Sequence, residues 1–185
     1  MPFGLVRYGV APDHHSIRSI RNTLERTLEK SCVRFYGDVT IGADISIDEL
    51  RESVDAVIYA YGAGTDKRLG IPGEELKGSI AAAELVAWYC GNPDVHPDTD
   101  QPAGDRLMAA DIYELITSAR HAVVVGVGNV ALDVARILIK SVDQLSDTDM
   151  ADEVLDCFSH NTVTDVHVLG RRGPAYTAFT TKELR

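Results

Sequence analysis

The feature that most constrains the fold is a strand-to-helix turn built on two glycines. A run of β-branched residues at 123–125 predicts a strand that is buried on both faces. Gly126 and Gly128 follow this run, and apolar positions then recur at intervals of three and four over residues 129–141, which predicts a helix. The order strand, glycine turn, helix is typical of an α/β fold with a central parallel sheet.

The same turn matches the dinucleotide-binding pattern G-x-G-x-x-A. Gly126 permits a tight turn, Gly128 lets a pyrophosphate approach the backbone, and Ala131 allows the helix to pack closely on the strand. Free N–H groups at the start of the helix and the helix dipole both favour an anion. Tight turns of this kind also occur without a nucleotide, so a purely structural turn stays open as an alternative.

Two arginines follow the next predicted strand, which spans residues 163–169. In an NAD site the end of this strand usually carries an acidic residue for the ribose 2′-hydroxyl, whereas a 2′-phosphate calls for arginine. Here Arg171 and Arg172 stand in that place. Guanidinium groups bind phosphate oxygens bidentately, so the sequence favours NADP over NAD. The alternative is a pair of solvated arginines at the start of a loop.

Composition excludes several classes of function. The net charge of −10 argues against nucleic acid or an anionic membrane as the main partner. Cys32, Cys90 and Cys157 form no C-x-x-C pair, which favours neither zinc nor a redox dithiol, and we expect them to be buried or half-buried. The chain has no long apolar run and no signal peptide at its start, which predicts a soluble, intracellular protein without membrane insertion.

The rest of the chain predicts further helices and strands. Helices are expected at 16–30, 79–89 and 105–118, strands at 32–36 and 55–62, a loop at 91–104, and helical spacing within 143–156. The strand at 55–62 is expected to be buried. No tyrosine has a lysine four residues later, and no P-loop motif is present, which argues against a short-chain dehydrogenase and against phosphate transfer.

Several polar and aromatic residues have a structural interpretation that competes with a functional one. His14 and His15 fit a solvated loop at least as well as a site. Trp88 and Tyr89 are expected to pack in the core, and Asp133 is expected to cap or pair locally. The predicted helix at 16–30 carries a stripe of basic residues, which are Arg18, Arg21, Arg26 and Lys30. Such a stripe could bind an acidic partner, but the ordinary interpretation is a helix face exposed to solvent.

Motifs along the whole chain together resemble a known family. The matching segments are residues 4–14, 61–63, 71–74, 128–136, 170–174 and 179–185. They resemble the adrenodoxin reductase branch of the ferredoxin–NADP reductases. The resemblance implies a flavoprotein of the glutathione-reductase-like type, with a Rossmann-like NADP-binding domain inserted into an FAD-binding domain. Such an enzyme passes hydride from NADPH to FAD and then single electrons to a ferredoxin or adrenodoxin-like iron–sulfur protein. The implied compartment is the cytoplasm, or the mitochondrial matrix in a eukaryote.

The resemblance also assigns residues. It implies that Val127, Gly128, Asn129 and Val130 hold the pyrophosphate. Arg171 and Arg172 would then bind the 2′-phosphate, with Glu183 contacting the nucleotide near them. Lys67 falls where some relatives have a basic contact to NADP. The backbone of Val39 and Thr40 matches a place where the family contacts FAD.

The chain departs from the family pattern at both ends. The glycine fingerprint that binds FAD is expected upstream of Met1, and the piece that closes over the flavin is expected after Arg185. We therefore expect a fragment, with a partial FAD-binding segment at residues 1–63 and an incomplete NADP-binding domain at 64–185. By itself it is expected to bind NADP(H) without turnover. A nucleotide-binding module without redox chemistry, such as a sensor or a structural domain, is the alternative.

Overall fold

A computed structural model describes residues 2–63, 67–93 and 109–180. Its elements are, in chain order, α1 (Gly4–Tyr8), α2 (His15–Arg18), α3 (Ile20–Leu28), α4 (Ile47–Ser53), α5 (Ala82–Tyr89), α6 (Ala109–Ser118), β1 (His121–Val125), α7 (Asn129–Ile139), α8 (Val142–Leu145), α9 (Asp152–Ser159), β2 (Asp165–Leu169) and a 3₁₀ turn (Pro174–Tyr176). β1 and β2 pair in parallel, which confirms the α/β class and the parallel sheet. Within the described residues, no helix has both the length and the apolar character needed to cross a bilayer.

The sheet is covered by helices on one face. Val125 of β1 lies opposite Leu169 of β2, and alternate side chains of both strands, such as Val124, pack against the helical core. The other face is open, because Val123 and Val125 are 57% and 54% exposed. The prediction that this strand is buried on both faces is therefore wrong. A β-branched run is typical of a strand that is buried on both faces. Among the described residues, however, helices pack on only one face of this sheet.

Helix α7 forms where the sequence predicts it and follows directly on the glycine turn. Ala131, Ala135 and Arg136 favour the helix. Its apolar side chains, among them Val134 and Ile137, turn inward. The helix ends at Ile139 because Lys140 has extended backbone angles. The side chain of Asn161 donates to the carbonyl of Leu138 at 2.8 Å and so satisfies one of the last acceptors of the helix.

The core lies mainly between helices α5 to α9. Each of these helices contributes at least one large buried side chain, and the rings of Trp88 and Phe158 lie 6.0 Å apart. Trp88 and Tyr89 are both buried there, as their packing interpretation predicts. Cys157 is buried and Cys90 is half-buried, but Cys32 is exposed, contrary to expectation.

The two strands predicted in the first third of the chain are not formed. Residues 32–36 and 55–62 have no strand pairing, and the described part of this region has only a single bridge from Ile41 to Ile45. Ile58 and Tyr61, which were expected to be buried, are 88% and 89% exposed. A strand is stable only against a neighbour, and the described residues supply none for these segments. The helix predicted at 16–30 is interrupted at Ser19.

The hydroxyl of Tyr89 makes a testable contribution to stability. Tyr89 is 1% exposed, and its hydroxyl has no hydrogen-bond partner among the described residues. Burial raises the pKa of this phenol well above its ordinary value. An unpartnered buried donor is destabilising, so Tyr89→Phe is expected to raise the free energy of unfolding by about 1 kcal/mol. Urea unfolding measures this change, with Tyr113→Phe at a 42% exposed position as the control. A loss of stability in Tyr89→Phe alone would contradict the assignment.

Candidate functional site

The turn between β1 and α7 has a backbone that glycine adopts readily. Gly126 has a φ of +142°, which L side chains rarely adopt. Its N–H donates to the carbonyl of Leu169 at 2.8 Å and ties the turn to the end of β2. A Cβ placed on Gly126 would lie 3.9 Å from the Cβ of Ala131, so the helix packs closely on the turn. Gly126 and Ala131 therefore perform the structural tasks predicted for them.

Four consecutive backbone N–H groups lie at the start of α7. Those of Val127, Gly128, Asn129 and Val130 have no hydrogen-bond partner in the part of the chain that the structure describes. They lie at the positive end of the helix dipole, and such an arrangement favours an anion. A Cβ on Gly128 would meet nothing within 4 Å. A ligand can therefore reach this stretch of backbone.

The two predicted arginines follow β2 at the same edge of the sheet as the glycine turn. The parallel register sets the end of β2 beside the end of β1, and a Cβ on Gly170 would lie only 2.7 Å from Val127 Cγ1. Arg171 and Arg172 come next and are exposed. Neither has a carboxylate partner among the described residues. Two unneutralised guanidinium groups are thus attached to the strand end that contacts the turn.

The segment after the arginines folds back onto the glycine turn. Ala178 N–H donates to the carbonyl of Val127 at 2.9 Å, and Thr180 N–H donates to Asn129 Oδ1 at 3.0 Å. The Asn129 side chain therefore holds this segment, while its backbone N–H stays free. The sequence reasoning missed this role, because a contact between residues 51 positions apart leaves no local pattern.

A half-buried cluster of charged groups connects the loop before α2 to α7. The carboxylate of Asp13 accepts from Arg136 Nε at 2.7 Å, from Arg136 Nη2 at 2.9 Å and from Lys140 Nζ at 2.6 Å. Arg136 Nη2 also donates to Asp133 Oδ1 at 2.8 Å. His14 Nε2 lies 2.9 Å from Asp133 Oδ1 and 3.0 Å from Arg136 Nη2. These five residues are called the loop clamp below.

The loop clamp changes the acidity of its members. Burial by itself would raise the pKa of Asp13, but hydrogen bonds from Arg136 and Lys140 and their positive charges outweigh burial and lower the pKa strongly. Hydrogen bonds from Arg136 to Asp13, opposed by burial and supported by Asp133, raise the pKa of the guanidinium. Both groups are therefore charged at neutral pH. The sequence predicted local pairing of Asp133 but not the clamp as a whole.

The structure distinguishes between the interpretations that the sequence left open for the polar residues near this loop. The His14 side chain is 22% exposed and lies against Asp133, so it is not a solvated loop residue, whereas His15 is exposed. Arg18 was expected on a solvated face, but its side chain is 12% exposed. It donates to Asp149 at 2.7 Å and to the carbonyl of Val10 at 2.8 Å, because the loop and α2 lie against residues 147–149.

Three of the remaining predicted site residues, Lys67, Val39 and Thr40, are described by the structure and are not joined to the turn by any described hydrogen bond or ion pair. Lys67 is exposed, and no hydrogen bond or ion pair links it to the turn among the described residues. Glu183 lies outside the described residues. The N–H of Thr40 donates to Asp44 Oδ2 at 2.7 Å, so this group is already occupied. The backbone of Val39 has no hydrogen bond among the described residues.

Comparison with known proteins confirms the resemblance predicted from the motifs. The NADPH-ferredoxin reductase FprA of Mycobacterium leprae is 48% identical over 184 residues, a match that covers 100% of this chain and 37% of that protein. The mitochondrial NADPH:adrenodoxin oxidoreductase of Drosophila melanogaster is 42% identical over 185 residues, covering 100% of this chain and 36% of that protein. No protein-family model matches the chain.

The solved structures agree with the sequences. The structure of Mycobacterium tuberculosis FprA in complex with NADPH superposes with a TM-score of 0.85 at 46% identity. The match covers 100% of this chain and 38% of that one. The chain thus spans little more than a third of the length of the relatives that it matches.

Proposed function

We propose that the chain binds NADP(H) across the glycine turn as the Rossmann-like nucleotide-binding part of a ferredoxin–NADP reductase. The observation that supports this most directly is the set of four unoccupied N–H groups at an open glycine. The pyrophosphate would accept from the N–H groups of Val127, Gly128, Asn129 and Val130. The similarity of the whole chain to a segment of NADPH-dependent reductases supports the choice of nucleotide.

The arginine pair would supply the preference for NADP(H). The ribose of a nucleotide whose pyrophosphate lies on the turn reaches the end of the neighbouring strand in folds of this kind. Arg171 and Arg172 follow that strand and carry no competing carboxylate among the described residues. The 2′-phosphate would therefore find two guanidinium groups free to bind it. Glu183 and Lys67 are proposed as further contacts on the resemblance alone.

We propose the same division of the chain that the sequence predicts, with residues 1–63 as part of an FAD-binding domain and 64–185 as the NADP-binding part. Apart from Ala11 and Pro12, the buried residues of the described chain lie between 85 and 158, which supports a core within the second part. FAD, when held by this part of the proposed enzyme, would supply the chemistry that links hydride transfer from NADPH to single-electron reduction of a ferredoxin or adrenodoxin-like protein. The fit to FAD is partial, since Val39 offers free backbone groups but Thr40 N–H is engaged by Asp44.

The substitution Gly128→Ala tests the pyrophosphate site. The backbone of Gly128 is extended and its surroundings are open, so alanine is expected to cost less than about 1 kcal/mol of stability. The new methyl group would occupy the space through which a pyrophosphate approaches the backbone. NADPH binding, measured by calorimetric titration of the full-length protein, is expected to weaken about tenfold or more. Gly4→Ala, at another glycine with open surroundings, is the matched control. Unchanged affinity in Gly128→Ala would refute the site.

A second experiment tests the proposed reaction. The full-length protein, purified without added cofactor, is expected to carry a flavin absorbance and to reduce a ferredoxin with NADPH as the electron donor. A protein that binds NADPH but has no flavin and reduces no ferredoxin would instead be the nucleotide-binding module without redox chemistry. A protein that binds neither NADPH nor flavin would refute the proposal entirely.

A further inference from the structure

We infer that Tyr176 positions the guanidinium of Arg172 and thereby helps to select NADPH over NADH. The Cζ atom of Arg172 lies 5.3 Å from the centroid of the Tyr176 ring. This separation is within the range of a cation–π interaction. The inference rests on the proposed function, because it assigns a residue to the 2′-phosphate contact of the same site.

Backbone hydrogen bonds fix the position of Tyr176 independently of its contact with Arg172. Pro174 begins a 3₁₀ turn, and Tyr176 N–H donates to the carbonyl of Gly173 at 3.0 Å. Two residues later, Ala178 N–H donates to Val127, which anchors the turn to the glycine turn. The ring is therefore attached to a short segment held at both ends, and it lies four residues after the arginine that it contacts.

A cation–π contact suits a phosphate-binding arginine because the ring, unlike a carboxylate, leaves the positive charge of the guanidinium unneutralised. The five N–H donors of arginine lie in the plane of the group, in a fork that fits phosphate oxygens. Arg172 is exposed and has no carboxylate partner among the described residues, so the ring is the contact that limits its rotamers. A long side chain held in this way loses less conformational entropy when it binds a ligand. The planar donors stay available for phosphate oxygens.

The test compares nucleotides with and without the 2′-phosphate. Affinities of full-length protein for 2′,5′-ADP and for 5′-AMP are measured by calorimetric titration for the unaltered protein, Tyr176→Leu and Tyr176→Phe. Tyr176→Leu is expected to reduce the preference for 2′,5′-ADP by about two- to five-fold, the effect of one exposed cation–π contact. Tyr176→Phe keeps an aromatic ring and is expected to keep the preference. Tyr176 is 61% exposed, so neither variant removes core packing.

Combining Tyr176→Leu with Arg172→Ala tests whether Tyr176 acts through the guanidinium of Arg172. With the guanidinium absent, adding Tyr176→Leu is expected to leave the remaining preference unchanged. An equal loss for both nucleotides would indicate that the ring contacts the base or only shapes the loop, and it would overturn the inference. So would an unchanged preference in Tyr176→Leu, or the same loss in the Arg172→Ala background. If the unaltered protein binds neither nucleotide, the proposed function fails and the inference fails with it.

Discussion

Replacing both Arg171 and Arg172 by alanine is expected to reduce the preference for NADPH over NADH by about 100-fold. Hydrogen bonds to charged groups each contribute about 1.5 to 3 kcal/mol, and both side chains are exposed, so the lower value applies to each. Two contacts at that value correspond to about two orders of magnitude in affinity. The measurement is a titration of full-length protein with each nucleotide at one ionic strength, because salt screens exposed charges.

The control for this variant removes a positive charge from another place. Arg120 is exposed and immediately precedes β1, so it lies at the opposite end of the strand from the glycine turn. Arg120→Ala is expected to leave the preference unchanged. Binding of NADH by the double arginine variant is expected to stay close to that of the unaltered protein. If the double variant still prefers NADPH as strongly as before, the 2′-phosphate contact lies elsewhere.

The substitution Asp13→Asn is expected to lower the free energy of unfolding by about 3 kcal/mol, the cost of breaking a buried ion pair. The Asp13 side chain is 9% exposed and accepts three hydrogen bonds from Arg136 and Lys140. Asparagine would remove the carboxylate partner of Lys140 and would leave Arg136 paired with Asp133 alone. Urea unfolding measures the change. The matched control is Asp48→Asn, whose partner is Arg51 and whose side chain is 86% exposed. That change is expected to cost less than about 1 kcal/mol. Equal costs would contradict a stabilising role for the loop clamp.

The stabilising effect of Asp13 should depend on pH in one direction. Its pKa in the folded protein lies below the ordinary value of 3.8, so folding favours the charged form. The contribution is therefore complete above the ordinary pKa and is lost as the pH falls through the folded value. The difference in unfolding free energy between the unaltered protein and Asp13→Asn is expected to stay constant from pH 7 to about pH 5 and to shrink in stronger acid. A difference that grows on acidification would contradict this explanation.

The sequence predicted those parts of the molecule that depend on neighbours in the chain. The existence of the glycine turn, α7, β1 and β2 follows from periodicity and from glycine chemistry over a few residues. β2 begins at Asp165 rather than at 163, a difference confined to the end of the strand. The position of Arg171 and Arg172 at the edge of the turn follows from parallel pairing, which the fold class implies.

The features that were missed depend on distant partners. The segment at 55–62 has the composition of a buried strand, but composition cannot supply the neighbour on which Ile58 and Tyr61 would pack. The loop clamp joins residues more than 100 positions apart. A signal for it did exist, since Asp133, Arg136 and Lys140 recur at three and four along a helix with an apolar inward face. Charged groups at such spacing point to a polar partner, but not to which loop provides it.

The uncovered face of the sheet has a practical consequence for experiments. Val123, Val125 and Leu169 present a band of aliphatic side chains, and each of the two strands has a free edge among the described residues. In a polypeptide limited to the described residues, the free strand edges would pair with strands of other copies of the same polypeptide. Its melting temperature would therefore rise with protein concentration. The free energies of unfolding predicted above therefore refer to the full-length protein. Aggregates are removed from it by size separation before each measurement.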